Sequence, residues 1–158
     1  MFAALEESAL TLWLNSFLWA FPAAEIFHIV MTGGFFGSIL LLDLRLMGVS
    51  RLFSARQIHA YIVPKLWWLF GGVVLSGALL FLFMPGEYAG NPAFLLKMLL
   101  IVIGGQNAFI MHKALSQYQN DWNDGLPPLA VRLSAALSLL IWVACLACGR
   151  LIAYFYGV

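Results

Sequence analysis

Residues 66–86 read L-W-W-L-F-G-G-V-V-L-S-G-A-L-L-F-L-F-M-P-G, a run without one charged side chain. A helix needs about 20 predominantly apolar residues to cross the hydrocarbon core of a bilayer. The run meets that length and predicts a membrane span over about 59–85, opening near His59 and closing at Pro85. Working outward, three more stretches qualify: about 22–46, about 92–115 and about 129–156. Each carries a few ionisable residues, chiefly Glu25, His28, Asp43 and Arg45 in the first, Lys97 and His112 in the third, and Arg132 and Arg150 in the fourth.

Composition gives the same reading. The 158-residue chain is 63% hydrophobic and 9% charged, with a mean hydropathy of +0.94. Soluble domains carry about a quarter charged residues, so eight basic and seven acidic side chains cannot cover a water-facing surface here. A net charge of +1 offers no basic patch for nucleic acid. So apolar a chain would not stay solvated as a disordered polymer. The expected fold is all-α: an integral membrane four-helix bundle occupying residues 1–158 as one domain, with the lipid bilayer as its first partner.

The first 21 residues lack the basic start of a secretory signal, since Glu6 and Glu7 come first and Arg45 is the first basic residue. Trp13, Phe17, Trp19 and Phe21 suit the headgroup level. Segment 5–21 is therefore expected to be a retained interfacial amphipathic helix. Arg45, Arg51, Arg56, Lys65, Lys113 and Arg132 lie toward the loops 1–2 and 3–4, against Lys97 and Arg150 on the other side. The positive-inside tendency predicts both termini outside and the two basic loops in the cytoplasm.

Ionisable residues within spans are functional candidates because burying them in hydrocarbon is costly. At a rise of about 1.5 Å per residue, Lys97 and His112 stand roughly 22 Å apart, in opposite leaflets. An outer level holds Glu25, His28, Lys97 and Arg150; an inner level holds Asp43, Arg45, His59, Lys65 and His112. Glu25, His28, Thr32 and Asp43 share one stripe of the first span, within roughly 60°. Lys97, Gly104, Gly105, Ala108 and His112 form a trough on the third, which admits either a neighbouring helix or a flat ligand.

Neutral imidazole is a common axial ligand of haem iron and of transition metals. His28, with Glu25 one turn earlier to orient its ring, and His112 with His59, as an inner-leaflet pair if they face each other, are the candidate metal ligands. Lys97 snorkels outward or partners a carboxylate such as a haem propionate, or serves as an axial amine. Cys145 and Cys148 share a helical face as C-x-x-C, read either as two small apolar residues or as a redox pair. No histidine follows them, so covalent c-type haem attachment is excluded.

Two runs resemble a known group. F21-P-A-A-E-I-F-H28 followed by G-S-I-L-L-L-D43-L-R45-L-M-G48, and N91-P-A-F-L-L-K97-M-L-L continuing through Asn107 to His112, resemble the small four-helix bacterial membrane proteins of the copper resistance D group. That group's distant relatives include membrane protoporphyrinogen oxidases that bind haem b through an essential first-helix histidine and carry an essential third-helix lysine. The resemblance implies a haem b, with His28 and Lys97 at the matching positions; Glu25, Arg45, Asn107 and His112 fall within the resembling runs as further cofactor candidates, and His59, outside them, is a candidate by its imidazole alone.

The expected function is haem b binding with electron transfer or haem-dependent oxidoreduction, in contact with a redox partner or quinone, and with a second copy of the chain admitted. The alternatives are copper or small-solute transport, with Glu25, His28 and Met31 lining an entry, and a structural subunit without cofactor.

Overall fold

The computed structural model describes residues 3–49, 55–118 and 126–155. It contains two short helices, α1 (Ala3–Glu6) and α2 (Ala9–Asn15), then α3 (Ala20–Leu46), α4 (Ala55–Phe83), a one-turn-and-a-half α5 (Pro85–Gly90), α6 (Pro92–Tyr118) and α7 (Leu129–Leu151), closed by a 3-10 turn over Ile152–Tyr154. Among the described residues there is no strand. Helices α3, α4, α6 and α7 are each long and apolar enough to cross a membrane. The protein is an all-α membrane helical bundle.

The termini of the long helices are written in local sequence. Asn91 ends α5 and starts α6: its Oδ1 accepts from the backbone N–H of Ala93 and Phe94 at 3.0 and 3.2 Å, and Pro92 needs no donor at the first helical position. Its Nδ2 donates to the Ile152 carbonyl at 3.0 Å, tying the start of α6 to the end of α7. At the other end of the bundle α3 stops at Gly48, whose φ of +83° suits glycine alone, with the Val49 N–H returning to the Leu44 carbonyl at 3.0 Å. Inside α4, Pro64 removes a donor, and Lys65 turns back to the Tyr61 carbonyl at 3.0 Å.

Small residues set which helices meet. On α4, Gly72 receives the Met31 side chain and Gly77 the His28 ring, while Gly34 of α3 receives Leu69. Gly104 of α6 seats Trp142 and Ile141 of α7. The helices therefore pack as two antiparallel hairpins, α3 on α4 and α6 on α7, joined by contact between α3 and α7. The α4 and α6 backbones do not pack closely, although their side chains share core clusters. Phe35 and Ile39 meet Trp142 and Cys145 at mid-depth; Leu42, Leu46, Met111, Leu115, Val131 and Ala135 fill the loop end. Trp68, Leu75, Phe109 and Leu140 point outward, as helices facing lipid require.

The lead-in differs from the single interfacial helix expected over 5–21. Ser8 caps α2, accepting from the Thr11 N–H at 3.3 Å, so the segment breaks into two helices before α3 begins at Ala20. It packs over one end of the bundle: Glu6 accepts from the Gly86 N–H, and Asn15 donates to the Phe83 carbonyl. Trp13, Phe17 and Trp19 remain exposed as a belt around this cap. Of the six basic residues counted toward the loops, Arg51 lies outside the described residues and the Arg56 side chain is likewise not described.

Candidate functional site

Polar side chains gather at two heights, as the level arithmetic predicts. Toward the cap, His28 of α3 hydrogen-bonds through Nδ1 to Ser76 Oγ of α4 at 2.8 Å. The Ser76 hydroxyl has one proton, and it lies 2.6 Å from the Gly72 carbonyl, to which it donates. It then accepts from His28 Nδ1, and the Val73 carbonyl, 3.2 Å from the same hydroxyl, also interacts with the ring. Lys97 of α6 is close enough to His28 to interact electrostatically and lies beside Gly149, Cys145 and Cys148 of α7. Each of the four long helices thus contributes to this cluster: an imidazole, a hydroxyl, an amine and two buried thiols.

Glu25 does not orient His28. It is exposed on the helix surface, and Ser76 takes the ring N–H instead, because α4 packs at Gly72 and Gly77 and brings the hydroxyl up to the ring. Met31 lies against Gly72 rather than beside an open entry. Arg150 is exposed and faces the Tyr154 ring, away from the cluster.

Toward the loop end, His59 of α4 and His112 of α6 do face each other, with ring centroids 5.3 Å apart and planes 14° from parallel. His59 Nε2 is buried without a hydrogen-bond partner, while His112 is exposed. Arg45 is buried at the same end of α3. Asp43 has no exposed surface; Ser138 of α7 lies near enough to interact, yet neither carboxyl oxygen meets hydrogen-bond geometry. Asn107, a cofactor candidate by motif, is committed to helix packing: it donates to the Ser134 carbonyl at 3.1 Å and accepts from the Ser134 hydroxyl at 2.8 Å. The trough on α6 resolves in the same way at Gly104, which α7 fills, while a Cβ on Gly105 would meet nothing within 4 Å. Thr32 Oγ1 and Trp142 Nε1 are buried without partners between the two levels. Among the described residues, no three His, Cys, Asp or Glu side chains converge.

The pattern of a protein family of unknown function, DUF6644, matches residues 19–155, which takes in all four long helices. The chain belongs to the DUF6644 family. No curated protein and no solved structure matches it. The match begins at Trp19 and so contains His28, His59, Lys97 and His112 but not α1 or α2. Within this DUF6644 chain, Ser138 is the residue that sequence reasoning passed over, while Ser76, which the sequence offers with Gly72 only as a small helix-packing residue, holds the His28 ring. A serine in an apolar helix carries no pattern of its own; only the facing helix reveals it.

Proposed function

We propose that this chain is a haem b-binding membrane protein that handles electrons, with His28 as the iron ligand. The observation that carries the reading is the Nδ1 bond to Ser76, which holds the ring of a half-buried intramembrane histidine in one orientation. Metal-ligating histidines are held this way, with the second nitrogen donating to a fixed acceptor. The remaining residues fit the group. The half-buried Lys97, whose amine lies 3.5 Å from where a Cβ on Gly149 of α7 would stand, suits a propionate carboxylate, and Gly77 and Gly149 keep bulk away from the His28 ring and the amine.

Haem, when bound, supplies a one-electron couple whose potential depends on its ligand and surroundings. The protein's part is to hold the imidazole in one orientation through Ser76, offset acidic charge with Lys97, and limit water through the apolar layer of Phe35, Ile39 and Trp142. The partners consistent with electron handling are a quinone or redox protein at the membrane. The motif resemblance to the copper resistance D group supports the same cofactor. The excess of basic residues toward the α3–α4 and α6–α7 loops supports an inner-membrane setting with periplasmic termini.

The test is the optical spectrum of the protein purified in detergent from cells supplied with haem precursor. A Soret band that shifts and sharpens on reduction is expected. A colourless chain that takes up no added haemin would remove the reading. Ser76→Ala is expected to retain haem with a changed reduction potential, as loss of a histidine's outer partner produces.

A further inference from the structure

Gln106 places a primary amide in the hydrocarbon with nothing to bond. It lies on α6 about 4 Å from the middle of the Pro92–Leu115 span. It is exposed, and its amide makes no hydrogen bond among the described residues. Asn107, one residue on, is the contrast, because Ser134 of α7 satisfies it. Gly104 turns to α7, and Phe94 and His112 turn to rings of α4. Gln106 follows Gly104 by about 200° around the helix and so looks away from both neighbours. Lipid tails offer no hydrogen bond, so an amide there carries its desolvation cost unless another protein meets it.

The residues around it repeat at heptad spacing. Leu95, Leu99, Val102, Gln106 and Phe109 advance by 4, 3, 4 and 3 residues, and all five are exposed. That is the seam of a left-handed helix pair, and it runs about 21 Å along α6. Lys113, one step further, falls at the end of the span, where water screens its charge. An amide both donates and accepts. Two copies of Gln106 meeting across a twofold axis therefore satisfy each other, and the surface is its own complement. A single polar residue in an apolar seam also fixes the register of the pair.

We propose that α6 packs in parallel against α6 of a second copy of this chain, with the two Gln106 amides hydrogen-bonded at the centre of the seam. Lys97 stands nine residues earlier and about half a revolution away, so the interface does not touch the cap-end cluster.

The experiment uses the full chain, with cysteine introduced at single positions and oxidised in native membranes. Val102→Cys and Phe109→Cys should each give a disulfide-linked dimer. Leu75→Cys and Leu140→Cys, on outward faces of α4 and α7, should not, and the chain with only the buried Cys145 and Cys148 is the background. Light scattering of the wild type in mild detergent should read two copies per particle. Gln106→Leu should weaken the pair about tenfold, since leucine gains nothing over lipid, and Gln106→Asn should restore part of the loss. No link at either Val102→Cys or Phe109→Cys would overturn the proposal and give the seam to lipid or to a different protein; this membrane result decides even if detergent splits the pair. Links of equal yield at the α4 and α7 positions, or undiminished pairing of Gln106→Leu, would overturn it as well. His28→Ala should dimerise like the wild type, so the pairing and the haem spectrum succeed or fail separately.

Discussion

Adjacent glycines on α6 have opposite surroundings, and substituting each in turn tests the packing of α6 on α7. A Cβ at Gly104 would stand 3.1 and 3.2 Å from the Trp142 ring and 3.2 Å from Ile141 Cγ2, while at Gly105 it would meet nothing within 4 Å. Alanine in a helix interior is worth about 0.8–1.0 kcal/mol over glycine, and both variants gain that. Gly104→Ala also pays for overpacking against a ring that is buried on both sides, about 1–3 kcal/mol. Gly105→Ala should therefore be as stable as the wild type or up to about 1 kcal/mol better. Gly104→Ala should be about 1–3 kcal/mol less stable than its neighbour. Unfolding in mixed micelles of rising SDS content, followed by helical circular dichroism, measures the gap. Equal midpoints for the two variants would mean that α7 does not meet α6 at Trp142, and the hairpin register would be wrong.

Asn107→Ala removes a reciprocal pair with Ser134 between α6 and α7; a loss of about 0.6–1.7 kcal/mol is expected in the same assay, and no loss would refute the pair. Asn91→Ala deletes the α6 cap and the tie to Ile152, and should cost about 1–2 kcal/mol. Asp43→Asn should be tolerated, since neither carboxyl oxygen makes a hydrogen bond; a loss of about 3–5 kcal/mol would instead reveal a buried ion pair. A reporter fused after Val158 and active only in the periplasm should be active, and activity of a cytoplasmic reporter there would invert the proposed orientation.

The spans were readable because hydrophobic length is a one-dimensional signal. The charge-free run of residues 66–86 lies within α4 and α5, and the third span opens at Pro92 as expected. Depth was readable too, since rise per residue alone puts His28 with Lys97 and His59 with His112. What the sequence could not carry is azimuth across helices. Glu25 was the natural partner for His28 along its own helix, but Ser76, 48 residues away, holds the ring because Gly72 and Gly77 let α4 approach. The same gap hid the roles of Asn107 and of Gly104, which turned out to face α7. The lead-in was misjudged as one helix because its aromatic spacing is continuous, while the break is made by Ser8 and by a segment folding onto Gly86 and Phe83.

Haem content per chain in three single variants tests the central claim most directly. His28→Ala, His59→Ala and His112→Ala are purified beside the wild type, and haem is quantified against protein with the visible spectrum recorded oxidised and reduced. The account predicts that His28→Ala loses haem or shows a shifted spectrum, while His59→Ala and His112→Ala keep wild-type occupancy and an unshifted Soret band. Full occupancy and an unshifted spectrum in His28→Ala, with haem lost from His112→Ala, would contradict it and move the cofactor to the loop end of the bundle.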